Sequence, residues 1–391
     1  MNKIQKINTV GVLLLLGFSI SSYLYCIIGG DYLQANYPYS SYLFLVEDKF
    51  NDFFNVLRMV KDNRVYTVSD PIIPACYFPF AYTVMYILTK IPAFYAFGIF
   101  IVLFVAATAY FIYIFLLKGE KIDLQTLCAS GAYFFSYPFL FTIDRGNIEA
   151  FCFIFVGMFL ISFLQKRFYL AIFFLALASA LKLYPCVFAV LFIKNKQYKY
   201  CIMAGVCTLL ITFFSILTFN GAFMEIIQGI FNELSRFTSE YIYVHFRHQN
   251  VALFSIVHVF SGLGIIEISK GYTIFNIFAL IVFTFIVFYI IKYEKELWKQ
   301  VFMLISVFVL LMGWTVTYKM LYFLFALFLF FNSSAPSQYD KNYCVALTIL
   351  LIPAQSHNGI FLNITCAAIL YINFLIVKES YCRQDCFKTA G

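Results

Sequence analysis

The sequence predicts an all-α, polytopic membrane helix bundle of about twelve spans. Of its 391 residues, 63% are hydrophobic and only 12% are charged. A soluble domain carries about 25% charged residues to cover its core. Apolar stretches recur along almost the whole chain, several long enough to cross ~30 Å of hydrocarbon. Lysines and arginines collect in short turns between those stretches, as the positive-inside bias of cytoplasmic loops requires.

Hydropathy and charge together place spans at 8–28, 93–117, 124–142, 148–164, 168–181, 183–193, 200–219, 272–291, 300–313, 320–331, 342–353 and 359–377. The first is an uncleaved span with Lys3 and Lys6 ahead of it, which puts the N-terminus in the cytoplasm. Cytoplasmic turns then hold Lys118 and Lys121, Lys166 and Arg167, Lys194 to Lys199, Lys292 to Lys299, and Lys378, Arg383 and Lys388. This parity requires residues 76–90 to form a helix lying in the outer interface, because a span there would turn the next cation clusters outward. Two external loops follow, about 29–92 and 220–271. The expectation is a single integral-membrane domain over 1–391, in the cell inner membrane, with its polar turns on the periplasmic or extracellular face.

Within the first loop, Phe50, Phe53, Phe54, Leu57 and Val60 recur at helical spacing and predict an amphipathic interfacial helix. Pro71, Pro74 and Pro79 break the chain after it. The formal charge of +8 is dispersed over inter-span turns, so it does not point to nucleic acid. Most of the 11 cysteines sit in apolar spans as small hydrophobes, and no disulfide framework is visible. Cys382 and Cys386 lack the second ligand pair a metal site needs.

The outward turns carry the polar chemistry. They contain Asp52 in Asn51-Asp52-Phe53; Asp144-Arg145-Gly146-Asn147-Ile148-Glu149; Lys182-Leu183-Tyr184-Pro185; His245-Phe246-Arg247-His248-Gln249-Asn250; and Trp314, Tyr318 and Lys319. Charges at a membrane interface are costly unless paired or used. Each has a plain structural alternative: Asp52 as the wet face of its helix, Arg145 paired with Asp144, Lys182 snorkelling from a span end. Glu47, Asp48 and Asp52 could take a divalent metal or merely solvate the loop. Carboxylate, guanidinium, ammonium and imidazole on one side suit the binding of an anionic head group and the activation of a hydroxyl.

The order of these motifs resembles the GT-C-fold glycosyltransferases, specifically the polyprenyl-phosphate-mannose-dependent mannosyltransferase-like family that includes the phosphatidylinositol-mannoside enzymes. The resemblance rests on Asp52-Phe53, then Arg64-Val65-Tyr66 and Tyr77-Phe78-Pro79-Phe80, then Gly146-Asn147, Lys182 to Pro185, and His248-Gln249-Asn250. Glu149 departs from it, standing where an asparagine is expected. The resemblance implies transfer of a hexose, with mannose favoured, from a polyprenyl-monophosphate donor to a lipid-linked or envelope glycan acceptor on the outer face. Asp52 would be the general base of an inverting displacement. Lys182, Arg145, Arg247 and Lys319 would hold the donor phosphate, and Asn147, Tyr184, His248, Asn250 and Tyr77 would contact substrate. No nucleotide is implied, and the sequence has no Gly-rich phosphate loop. The alternatives are a polymerase or ligase of undecaprenyl-diphosphate-linked glycans, kept open by Arg236 and Arg247, and a secondary transporter or flippase. The absence of repeated halves and the nearly clean span interiors weigh against transport.

Overall fold

The computed structural model describes residues 1–24, 50–70, 73–244, 250–333, 336–352 and 359–388. Among them every regular element is a helix. Among the described residues, five helical stretches are long and apolar enough to cross a membrane: Lys3–Tyr23, Ala93–Leu117, Tyr198–Ile216, Ile268–Lys292 and Asn363–Cys382. A sixth span is made if Leu124–Phe135 and Tyr137–Arg145, bent by 45° at their junction, count as one. The remaining expected spans are shorter helices, among them Glu149–Leu164, Phe168–Leu181 and Leu297–Leu310. At 1.5 Å per residue, the 14 residues of Leu297–Leu310 reach about 21 Å, short of the hydrocarbon core.

The chain forms two compact units. One comprises 1–47, 110–141 and 247–391. Its centre is Leu297–Leu310 and Phe323–Phe331, both buried on every side; the second is apolar throughout, and the first is apolar but for Lys299, Gln300 and Ser306. Trp298 locks this core, its ring 5.0 Å from Phe330 and 4.9 Å from Tyr343. Lys299, expected in a cytoplasmic turn, is buried and pairs with Glu379 at 2.9 Å, where Tyr343 also donates at 3.0 Å. The expected external loop 220–271 proves largely helical, and in this unit it supplies Phe254–Gly262 and the start of Ile268–Lys292.

The other unit comprises 48–109 and 142–246. Glu149–Leu164 and Phe168–Leu181 form a tight helical hairpin, closed by Arg167 N–H to Ser162 O at 2.9 Å. Ala171, Ala176, Ala178 and Ala180 are buried on the second helix, and their small side chains allow the close approach. Phe159, Phe163, Phe188 and Phe192 pack the hairpin's far end with ring centroids 5.4–6.0 Å apart.

The amphipathic helix forms over Asn51–Met59, with a shifted apolar stripe. Phe53, Val56, Leu57 and Val60 are buried, whereas Phe54 is exposed. That stripe faces protein: Phe53 sits 5.2 Å from both Phe97 and Phe100 on Ala93–Ile112. Burying one phenylalanine contributes about 2 kcal/mol, which anchors the short helix that carries Asp52. Pro79–Leu88 begins on a proline at its first position, where the missing N–H costs nothing. Its ten residues span about 15 Å, half of a hydrocarbon core, so it cannot cross alone.

Phe223–Phe237 seats against the chain at Tyr66 with almost no clearance. A Cβ at Gly229 would stand 1.9 Å from the Tyr66 carbonyl oxygen. Gly229→Ala should therefore unseat that helix, costing on the order of 1–3 kcal/mol by overpacking. The check is the thermal midpoint in detergent; an unchanged midpoint would contradict the packing.

Candidate active site

The site begins at a helix stop. Tyr137–Arg145 ends on Gly146, whose φ of +64° is left-handed. Gly146 N–H reaches Ile143 O at 2.9 Å and Asn147 N–H reaches Thr142 O at 3.2 Å, the paired bonds of a Schellman stop. A side chain at 146 would meet Phe53 Cβ at 2.8 Å, so glycine also lets the Asp52 helix approach. Phe50 N–H then donates to Asp144 O at 2.7 Å and pins the start of that helix to the end of the other.

Four charges and one amide meet there. Asp52 pairs with Arg145 through one carboxylate oxygen. Its other oxygen accepts from Asn147 Nδ2 at 2.6 Å. The Asn147 Oδ1 accepts from Glu149 N–H at 3.0 Å and from Lys182 Nζ at 3.4 Å. Lys182 in turn pairs with Glu149 at 2.5 Å. A carboxylate only accepts and an ammonium only donates, so Asn147 can join the two ion pairs in one orientation alone. Its amide nitrogen also lies 3.3 Å from Tyr77 Oη, and Lys182 Nζ lies 4.9 Å over the Tyr77 ring. Two carboxylates and two cations make the cluster neutral, which is what allows it to sit out of water.

Access is graded. The side chains of Asp52 and Arg145 are 16% and 22% exposed, Lys182 10%, and Glu149 not at all. The Asp52–Arg145 pair is therefore the more open of the two and the Lys182–Glu149 pair the more closed.

The wall beside Tyr77 is phenolic. Tyr66 Oη donates to Tyr77 O at 2.9 Å, and Tyr77 N–H donates to Tyr82 Oη at 3.3 Å. Burial pushes the Tyr66 and Tyr82 phenols well above their usual range, so both stay protonated, Tyr66 as the donor to Tyr77 O. The Cys76 thiol is pushed up to about 11, mainly by loss of water and against the opposing effect of Lys182.

The structure thus gathers Asp52, Arg145, Asn147, Lys182 and Tyr77, and buries Tyr184 in the turn that follows Lys182. Arg145, in the last turn of its helix, pairs with Asp52 in the first turn of Asn51–Met59. Asn250 and Lys319 belong to the other unit. There Asn250 Oδ1 accepts from Ala252 and Thr315 N–H at 2.9 and 2.8 Å, and its amide donates to Gly313 O at 3.0 Å. Lys319 is buried with Nζ 3.1 Å from Trp314 O. Arg247 and His248 lie outside the described residues, as do Glu47 and Asp48. Among the described residues no group of three His, Cys, Asp or Glu is placed to hold a metal ion.

Glu149 is the member that sequence reasoning left out of the site. Its signal was an acid in the first turn of an otherwise apolar helix, four residues after Arg145. Lys182→Met should strand Glu149 as a buried, unpaired carboxylate and cost about 3–5 kcal/mol. Adding Glu149→Gln should recover most of that loss. Unfolding midpoints of the single and double variants decide it; equal midpoints would show the pair is not structural.

Residues 76–317 match the family model described as Glycosyltransferase family 87. The match covers more than half of the chain, including Tyr77, Arg145, Asn147 and Lys182, and begins after Asp52. No curated protein matches the chain. With a helical fold, several membrane-length helices and this match, the chain belongs to glycosyltransferase family 87, a family of GT-C-like membrane glycosyltransferases.

Proposed function

We propose that this glycosyltransferase moves a hexose, mannose being favoured, from a polyprenyl-monophosphate donor to a lipid-linked or envelope glycan acceptor, with inversion at the anomeric carbon. The observation that carries the reading is the partly open Asp52–Arg145 pair, fixed from behind by the buried Asn147. Asp52 takes the proton of the acceptor hydroxyl. The freed oxygen attacks the anomeric carbon as its bond to the phosphate oxygen breaks, and the phosphate departs with that electron pair.

Arg145 is the more exposed of the two cations and has a phosphate-matching fork. As it turns to the leaving phosphate it releases Asp52 from its ion pair, which leaves that carboxylate oxygen open to accept the hydroxyl proton. Lys182 is engaged by Glu149 at 2.5 Å, so its proposed part is to hold Asn147 and to add positive potential behind the phosphate.

The same proposal places the reaction on the outer face of the inner membrane, because the cation-rich turns at 118–121, 166–167 and 194–199 would then all be cytoplasmic. It also completes twelve crossings with the short apolar helices, which protein rather than lipid would surround. The glycan polymerase reading needs free arginines in the loop 220–271. Of the two that keep it open, Arg236 is committed to Glu240 at 3.0 Å and to Asp70 O at 2.6 Å, and Arg247 lies outside the described residues.

Asp52→Asn keeps the size of the side chain and removes the base. In proteoliposomes supplied with a polyprenyl-phosphate hexose, it should lower transfer by about 10²-fold or more while donor binding persists. Turnover at the wild-type rate would overturn the assignment.

A further inference from the structure

Glu233 is a buried carboxylate that the reaction described above does not use. It is 2% exposed, on the inner face of Phe223–Phe237. Both of its oxygens grip the strap leading to Tyr77: Ser69 Oγ donates to Oε1, and Ala75 N–H donates to Oε2 at 2.8 Å. Arg236, one turn on, stands 3.7 Å from Oε2 and donates to Asp70 O in the same strap. A buried carboxylate is an expensive way to hold a loop unless every lone pair is needed. Here the demand is for an acceptor on both sides, which an amide cannot supply to a backbone N–H from its nitrogen.

The strap ends in the site. Two residues beyond Ala75, Tyr77 places its phenol 3.3 Å from the Asn147 amide and its ring under Lys182. The same helix reaches Tyr77 by a second route, because Gly229 abuts Tyr66, whose hydroxyl donates to Tyr77 O at 2.9 Å.

We propose that Glu233 is a positioning residue of the active site: it fixes Ala75 and so aims Tyr77 at the Asn147–Lys182 bridge. The activity part of this inference rests on the assignment of Tyr77 and Asp52 to the reaction. The positional part does not.

Two measurements separate them. In the first, 3-fluorotyrosine is introduced at position 77 alone and its ¹⁹F resonance is recorded in the full-length protein without substrate. Glu233→Ala should move that resonance. Glu233→Asp, which keeps the charge but draws the carboxylate back by one methylene, should move it too and serves if the alanine variant does not fold. An unmoved resonance in a folded variant overturns the inference.

In the second, transfer from a polyprenyl-phosphate hexose is measured for Glu233→Asp, Tyr77→Phe and the double variant. Each single change should lower kcat by about tenfold, and the double should fall no more than about twofold further, since both act through one contact. Losses that multiply would mean Glu233 acts elsewhere and would overturn the link to Tyr77. A wild-type protein that transfers nothing from this donor counts against the donor reading; the resonance then still decides the positioning.

Discussion

The Asn147 side chain is the joint on which the site depends. It is one amide between an open ion pair and a closed one, and each of its two ends faces charge. Its donor end meets the Asp52 carboxylate; its acceptor end meets the Lys182 ammonium and the first N–H of the Glu149 helix. Neither end can be exchanged without setting like against like. The helix stop at Gly146 places it there, and the left-handed backbone at that position is what lets a helix end, an ion pair and a new helix succeed one another within five residues.

The division of labour between the two pairs follows from burial. A sealed Lys182–Glu149 pair in low dielectric is worth keeping only when both partners remain, and it then holds its surroundings rigidly. The Asp52–Arg145 pair, closer to water, can be exchanged for other partners at much smaller cost. A transferase that must hold a hydroxyl and an anionic leaving group has use for such an exchangeable pair. It also needs a fixed frame to which the pair returns. In the unit of 48–109 and 142–246, the frame extends outward through Tyr77, Tyr66 and the buried Glu233.

Much of this was legible in the sequence, for identifiable reasons. Asp52, Arg145, Asn147 and Lys182 stand out because charged or amide groups are rare in so apolar a chain, and helix punctuation by Gly146, Pro79 and Pro185 places them at element ends. What the sequence concealed were the long-range choices. Nothing local says that Lys182 selects Glu149, 33 residues away, or that Arg145 selects Asp52, 93 residues away. The stripe of the Asp52 helix differs at Phe54, which stays partly exposed while its ring still packs 5.5 Å from Phe97, a degree of burial that hydrophobicity alone does not fix. The same ambiguity accounts for the spans: Phe323–Phe331 is as apolar as any membrane helix, yet protein surrounds it. Asn250 drew notice as a polar residue in an outward turn, and its side chain is spent on three backbone groups.

In the proposed mechanism Arg145 leaves Asp52 for the donor phosphate and Asp52 then faces the acceptor. A cryo-EM structure of the protein with a non-hydrolysable polyprenyl-phosphonate sugar tests it most directly. The Arg145 guanidinium is expected on the phosphonate oxygens and the Asp52 carboxylate, released from it, beside the anomeric carbon, with Asn147 still bridging to Lys182. A donor bound elsewhere, with the Asp52–Arg145 pair intact, would contradict it.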